Sequence, residues 1–201
     1  MLFRSDAPEF QDLVARYSRF STRANWSAAL MVRDLRVDRG RGPRDDSATG
    51  VAASVSGRLA VGSEDELRFG VAAGNALGRY LSGNGFDDAR LDDAGRLARN
   101  LSAGGYFAWQ HWWNADWRSN LVVGLAWQAD RALDPENQLL ATLHANCMRN
   151  LGSDTTVGIE LISAHRQRFD DDDGELLRLQ LDRKSTRLNS SHQIISYAVF
   201  C

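Results

Sequence analysis

Residues 49–79 read TGVAASVSGRLAVGSEDELRFGVAAGNALGR, and they carry the pattern that decides the fold. Apolar and polar side chains alternate along 49–61 and again along 67–79. Alternation with a period of two residues is typical of a strand whose two faces meet different surroundings. The residues between the two runs, 62–66, are rich in turn formers. The stretch therefore predicts two antiparallel strands joined by a tight turn.

The same alternation recurs along most of the chain. Between Gln11 and Leu181, no segment has a long apolar stripe of helical period bounded by helix caps. The sequence also lacks a run of about 20 apolar residues, which a transmembrane helix would need. An all-β fold follows from this pattern. We predict nine strands, at residues 12–20, 26–37, 49–61, 67–79, 102–113, 117–129, 138–149, 155–167 and 175–181.

The connections between these strands alternate in length. The short ones are rich in turn formers and lie at 21–25, 62–66, 114–116 and 150–154. The long ones carry the acidic clusters and lie at 38–48, 80–101, 130–137 and 168–174. Strict alternation places the tight turns at one end of the sheet and the elaborated loops at the other. This arrangement is typical of a transmembrane antiparallel β-barrel of the outer-membrane class.

Sorting the strand residues by parity separates two faces. One face is almost free of charge and mixes alanine and valine with few large side chains. The other face is polar and carries seven arginines against one glutamate. The charged and titratable members of the polar face are Arg16, Arg33, Arg58, Arg68, Arg118, His144, Glu160, Arg166 and Arg178.

Parity alone leaves two interpretations open, because a soluble sheet with an apolar core and a polar exterior alternates in the same way. Such a sheet would be a soluble β-rich ligand-binding domain. Three details favour a barrel with the polar face inward. The apolar face would fill a sandwich core poorly, and acidic partners for the arginines are missing from the strand positions. Aromatic residues also lie near the short turns, as an interfacial girdle requires, at Tyr17, Trp26, Trp112, Trp113 and Trp117.

Inward guanidiniums predict an anion-preferring, water-filled channel for small solutes. Several positive charges in a wall of low dielectric constant concentrate anions in the lumen. Arginine suits this task because its planar fork stays charged and holds a carboxylate through two hydrogen bonds. The structural alternative is that each arginine only pairs with a carboxylate of a loop or of the opposite wall. No nucleic-acid partner is expected.

The sequence does not indicate an enzyme, a metal site or a cofactor. His111, His144 and His165 share no short spacing with cysteines or carboxylates. No nucleophile-elbow motif accompanies the serines. The acidic clusters at 87–88, 92–93 and 170–173 do not follow the EF-hand spacing, so we expect solvated loop tips there.

The last 20 residues differ in composition from the rest of the chain. Lys184 is the only lysine, whereas 21 arginines and 25 acidic residues precede Asp182, which gives those residues a net charge of −4. Residues 182–201 read DRKSTRLNSSHQIISYAVFC and resemble the codon-by-codon translation of a common sequencing-library adapter. We therefore assign 1–181 to a partial barrel and expect 182–201 to form no domain.

Several segments resemble the C-terminal half of DcaP-type dicarboxylate porins of Gram-negative outer membranes. They occur in collinear order across most of residues 6–181. The segments are DLVARYSR (12–19), DDSATGVAASVSGRLAVGSEDELRF (45–69), GRYL (78–81), WNADWRSNL (113–121), LHANC (143–147), VGIELISAHR (157–166) and GELLRLQL (174–181).

The resemblance implies a homotrimeric, sixteen-stranded barrel in the outer membrane, surrounded by lipid, that passes small anions and usually dicarboxylates. One departure from the family is Gln110, which stands where we expect an arginine and would weaken the positive row. The lumen positions that match are Arg33, Arg58, Arg68, Arg118, Glu160, Arg166 and Arg178, with Arg79 at the mouth.

Nine strands are too few for the circumference of a sixteen-stranded barrel. We therefore expect this chain to be one portion of a barrel. The resemblance places the signal peptide, the trimerisation segment and the loop that constricts the pore in the remainder.

Overall fold

The computed structural model describes residues 12–37, 46–81, 85–92, 94, 96–129 and 137–185. Within them the chain forms eleven strands and one short 3-10 helix, at Gly78–Tyr80. The described residues include no helix long and apolar enough to cross a membrane. The strands are β1 (Leu13–Phe20), β2 (Ala24–Val37), β3 (Asp46–Val61), β4 (Asp65–Asn75), β5 (Ala89–Leu91), β6 (Leu97–Arg99), β7 (Leu101–Trp112), β8 (Trp117–Gln128), β9 (Asn137–Leu151), β10 (Thr155–Arg168) and β11 (Asp173–Ser185).

Nine of these strands form a single antiparallel sheet in the order β1-β2-β3-β4-β7-β8-β9-β10-β11. Every strand therefore pairs with its neighbours along the chain, apart from the insertion of β5 and β6, which form a separate pair. The all-β prediction and all nine predicted strands are confirmed, and the strands that the structure describes do not close into a barrel.

The ends of the sheet differ as predicted. Residues 21–23, 62–64, 113–116 and 152–154 form short turns at one end, and the long connections lie at the other. Gly62 and Gly152 occupy two of the short turns with φ of 64° and 73°, a conformation that glycine adopts without steric cost. Of the predicted loops 38–48 and 130–137, residues 38–45 and 130–136 lie outside the described residues, and the remaining residues belong to β3 and β9.

The largest differences from the prediction concern β4, the pair β5 and β6, and β11. β4 begins at Asp65 and ends at Asn75, rather than covering 67–79. β5 and β6 were not predicted, because strands of three residues are too short to show a period. β11 extends to Ser185, so 182–185 pair with the start of β10. The remainder of the predicted tail, 186–201, lies outside the described residues.

Burial in the sheet is inverted relative to a soluble protein. Outward-facing apolar side chains are well exposed, as Leu30 (64%), Leu125 (51%) and Leu179 (66%) show. On the opposite face, the polar side chains of Ser102 and Gln128 have no exposed surface. A large exposed apolar surface is costly in water and favourable in lipid. The sheet therefore has the two faces of a membrane-barrel wall.

The inner face is covered in part by the connection between β4 and β7, which we call the inner segment (residues 76–81, 85–92, 94 and 96–100). Its side chains Leu77, Leu81 and Phe86 form a buried cluster with small residues of the sheet. Gly104 is one such position, because a Cβ there would lie 3.0 Å from Leu81 Cδ2. The other inner-face residues in or against this cluster are Met31, Ala52, Ala72, Ala126 and Leu140.

The inverted burial predicts opposite responses of two consecutive valines in β8. Val123 is 45% exposed on the outer face, whereas Val122 faces the interior beside His144. For the full-length gene product folded in lipid vesicles, Val123→Arg should cost about 2–4 kcal/mol of unfolding free energy, measured by denaturant titration. Val122→Arg should cost less than about 1 kcal/mol, because its charge would reach water. Equal costs would contradict the assignment of the faces.

Candidate pore-lining surface

The strand register arranges the polar inner face in rows across the sheet. Directly paired residues on neighbouring antiparallel strands point to the same face, so a row can be followed strand by strand. Two rows lie between the short turns and the inner segment. The arginine row consists of Asn25, Arg58, Arg68, Ala108, Val122, His144, Ile162 and Arg178. The amide row consists of Glu66, Gln110, Asn120, Asn146, Glu160 and Gln180.

Glu66 joins the two rows at β3 and β4. It is 7% exposed, and its two carboxylate oxygens accept hydrogen bonds from the Nε atoms of Arg58 and Arg68. Arg58 keeps more than half of its side chain exposed (55%) in spite of this contact. Because one carboxylate is shared by two guanidiniums, the group keeps a net positive charge.

Glu66 corrects the prediction that acidic partners are missing from the strand positions. The predicted strand began at residue 67, which left Glu66 in the turn. Because β4 begins at Asp65, Glu66 belongs to the polar face and is a second inner glutamate beside Glu160. The even spacing of Glu66 and Arg68 on one strand was the signal that could have revealed it.

The amide row has little charge of its own. Asn120 donates from Nδ2 to Asn146 Oδ1 at 2.8 Å, which ties β8 to β9 within the row. Gln110, the position where an arginine was expected, lies between Glu66 and Asn120. Neutral amides at these positions give the wall several weak hydrogen-bonding groups rather than one tight site.

Near this row, His144 and Glu160 come together across β9 and β10. His144 Nδ1 lies 3.5 Å from Glu160 Oε1, and both side chains are partly exposed. Arg178 follows on β11, where it is exposed, directly opposite Ile162. Of the described carboxylates, none lies within 4 Å of the Arg178 guanidinium.

Arg118 lies nearest the short turns and contacts no acidic group among the described residues. Its guanidinium carbon lies 5.2 Å from the centre of the Trp112 ring, and Nη2 lies 3.6 Å from the Met148 sulfur. Stacking on an aromatic ring holds an arginine in place without neutralising its charge. Arg118 is therefore a fixed positive charge on the inner face.

Two further predicted residues lie nearer the long loops. Arg16 is exposed on β1 and donates to Ser27 Oγ at 3.0 Å. Arg166 on β10 is half-exposed and lies 3.9 Å from Asp172, which belongs to the loop that follows. Arg166 therefore matches the structural alternative in part, at the outer limit of an ion pair, whereas Arg16 contacts a hydroxyl rather than a carboxylate.

Arg33 is a buried anchor of the inner segment rather than an open charge. It is 4% exposed, donates from Nη1 to the Ala76 carbonyl at 2.9 Å, and lies 3.0 Å from Asp88 Oδ2. Its Nε lies 3.5 Å from Asp12 Oδ1. Pairing on two sides compensates the desolvation of the guanidinium. Asp88, which was predicted to lie in a solvated loop tip, instead forms an ion pair with Arg33 of the sheet.

The anchor holds a strained turn at the point where the chain leaves β4. Ala76 is fully buried with φ of 65°, a left-handed conformation that costs an L-residue about 1–2 kcal/mol. Its amide donates to the Asn100 carbonyl at 2.9 Å, and its carbonyl accepts from Arg33. The first bond joins the first and last residues of the inner segment, and the second attaches the segment to β2.

Arg79, which was predicted to lie at the mouth, belongs to the 3-10 helix of the inner segment. Its Nη2 lies 3.1 Å from Asp12 Oδ2 and 3.3 Å from the Tyr80 hydroxyl. The hydrogen bond with Tyr80, and the nearby charges of Asp12 and Asp88, raise the pKa of Arg79. About half of its side chain stays exposed.

The remaining acidic residues do not form a metal site. Within the part of the chain that the structure describes, no three His, Cys, Asp or Glu side chains are placed to hold an ion. Asp92 is bound within its own turn instead, because the Arg96 amide and guanidinium both donate to it. These bonds lower the pKa of Asp92. Asp93 of the same predicted cluster lies outside the described residues.

No family model matches the sequence, and no curated protein matches it. A solved structure does. The fold is similar to that of the outer membrane channel DcaP of Acinetobacter baumannii, with a TM-score of 0.71 and 15% sequence identity. The match covers 89% of this chain and 52% of that one, so the chain spans about half the length of DcaP. The predicted resemblance is confirmed at the level of the fold.

The anchor predicts a local effect of losing Arg33. In the full-length gene product, Arg33→Gln should leave Asp88 without its guanidinium partner, leave Asp12 with Arg79 alone, and release the strain at Ala76. We expect the inner segment to lose about 2–4 kcal/mol of local stability, measured by hydrogen exchange of its amides.

Arg79→Gln is the matched control, because Arg79 contacts the same Asp12 from a half-exposed position. It should cost less than about 1 kcal/mol. Equal protection of the inner segment in Arg33→Gln and in the unmodified protein would show that Arg33 does not anchor it.

Proposed function

We propose that this chain is part of the wall of an outer-membrane channel that lets small solutes diffuse through a water-filled lumen. The inverted burial is the observation that carries the proposal: the outer face is apolar and exposed, and the inner face is polar. The similarity to an outer membrane channel supports it at the level of fold. A soluble binding domain would need a second layer over the apolar face, and the described residues supply none.

The inner-face charges support a preference for anions. Arg118 and Arg178 have no carboxylate within 4 Å among the described residues, and Arg58 and Arg68 share the single charge of Glu66. Glu160, whose Oε1 lies 3.5 Å from His144 Nδ1, offsets one of these positive charges. A positive balance on a wall of low dielectric constant raises the anion concentration beside it.

The inner segment gives the proposed lumen a narrow point within this chain. The resemblance placed the constricting loop elsewhere, yet Leu77, Leu81 and Phe86 of the inner segment pack on the inner face against residues of strands from β2 to β9. Solutes would then pass between this segment and the opposite wall, while the arginine row faces them on the side of the short turns.

We further propose small dicarboxylates as a substrate class and a homotrimer as the assembly, both of which rest on the family resemblance. Paired guanidiniums such as Arg58 and Arg68 suit a solute with two carboxylates, since each fork binds one group. The molecular mass of the detergent-solubilised gene product, measured by light scattering, tests the trimer.

Removing an unpaired inner arginine should lower the anion preference. A unit charge about 8 Å from an ion in water contributes about 0.5 kcal/mol, or roughly twofold in ion concentration. Arg118→Gln or Arg178→Gln should each lower the anion-to-cation permeability ratio by about this factor. The ratio comes from the reversal potential of the full-length gene product in a planar bilayer under a salt gradient.

Arg149→Gln is the matched control for Arg118→Gln, because Arg149 lies beside Met148, the strand partner of Arg118, but on the outer face. It should leave the permeability ratio unchanged. A cation-selective parent channel would overturn the proposal.

Removing the shared carboxylate should act in the opposite direction. Glu66→Gln frees the charge of one arginine in the Arg58–Glu66–Arg68 group. We expect the permeability ratio to rise by roughly twofold. Succinate permeability should rise with it, measured by exchanging chloride for succinate on one side of the bilayer. An unchanged ratio would mean that solutes do not approach this group.

A further inference from the structure

The outer face carries an apolar groove beside the short turns, which the channel function does not use. It has a volume of about 480 Å³, and an alanine and a cysteine of β9 form its floor. Tryptophans of β7 and of the turn that follows it form one side, and aliphatic residues of β10 and β11 form the other. The residues that define it are Trp109, Trp113, Ala145, Cys147, Ile159 and Leu179.

An arginine side chain, that of Arg149, lies at the end of this groove nearest the short turns. Arg149 follows Cys147 by two residues on β9, so both point to the outer face. Its guanidinium carbon lies 5.3 Å from the centre of the Trp117 ring. Among the described residues, no carboxylate lies within 4 Å of it, and its side chain is exposed.

The groove and the cation together have the form of one phospholipid. An acyl chain lying along β9 over Ala145 and Cys147 would put its headgroup at Arg149, among the tryptophans of the interfacial girdle. Trp113 Nε1 already donates to Ser119 Oγ at 2.9 Å, so the groove wall presents its apolar rings to the chain. Tryptophan is enriched at this depth because its ring is apolar and its N–H is polar.

We propose that this groove binds a phospholipid with an anionic headgroup, whose acyl chain lies between the tryptophans of β7 and the aliphatic side chains of β10 and whose phosphate contacts Arg149. This inference rests on the proposed membrane location. Charge complementarity selects a lipid over an apolar protein segment, because an unpaired arginine at the groove end matches a phosphate. The short-turn end of an outer-membrane barrel faces the periplasm, where the leaflet consists of phospholipid.

Tryptophan quenching by brominated lipid tests the proposal. The full-length gene product is folded into phosphatidylcholine vesicles in which a small, equal fraction of either phosphatidylglycerol or phosphatidylcholine carries brominated acyl chains. Brominated phosphatidylglycerol should occupy the groove about fivefold more tightly, the ratio expected for one arginine near an anionic headgroup. Arg149→Gln should abolish this preference. Ala145→Phe, which fills the groove floor, should abolish the preference and lower the quenching by both lipids.

Arg19→Gln is the matched control. Arg19 is an exposed outer-face arginine opposite Trp26 at the other edge of the sheet, and it lies outside the groove. This variant should keep the fivefold preference, and all three variants should keep the channel conductance.

The possible outcomes distinguish a failure of the lipid site from a failure of the proposed channel function. Equal quenching by the two lipids in the unmodified protein overturns the lipid site but leaves the channel in place. No quenching by either lipid overturns the membrane location itself. In a background where Cys147 is the only cysteine, efficient oxidation of Cys147 to an intermolecular disulfide would show that a second copy covers the groove, and it would overturn the lipid proposal.

Discussion

The backbone hydrogen bonds between neighbouring strands are the interaction on which the rest of this structure depends. Eight antiparallel pairings join the nine long strands, and each strand except the two at the edges is bonded on both sides. A soluble domain would add the burial of apolar side chains in a shared core, but here those side chains point outward and stay exposed. Such a wall is stable only where water cannot compete for its backbone groups, which is the condition inside a bilayer. The edge strands β1 and β11 need partners for the same reason.

The inner face shows how the wall accommodates the inner segment. Small residues occupy its loop-side half, and the buried cluster of Leu77, Leu81 and Phe86 packs into the space that they leave. The turn-side half has longer polar side chains and is not covered by that segment. The inner face therefore has two parts: the loop-side half packs against the inner segment, and the turn-side half is solvated and charged. The division follows from side-chain size along each strand, since the backbone of the sheet is continuous through both.

The fold was predictable because its signal is local, whereas much of the site was not. Alternation and turn residues revealed all nine strands, and every connection longer than a turn appeared at one end. Parity also placed Arg58, Arg68 and Arg118 on the correct face. Parity does not report what a side chain contacts, however. The partners of Arg33 lie before β1 and on the inner segment, far along the chain, and no periodic signal connects them. Glu66 was missed for a smaller reason, a strand boundary displaced by two residues.

The arginines of the inner face therefore differ in how far their positive charge is neutralised by the groups that they contact. Arg33 is surrounded by the inner segment, and its charge is consumed in holding a strained turn. Arg58 and Arg68 share the carboxylate of Glu66 on the same face, so their positive charge is only partly neutralised. Arg118 rests on an aromatic ring and keeps nearly all of it, because a ring holds the guanidinium without supplying a countercharge. Net charge alone is a poor guide to such a wall. A chain with a formal net charge of −2 can present a positive inner surface when its acidic residues are concentrated in loops and turns. The charge of the inner face is decided by the few guanidiniums whose contacts are neutral.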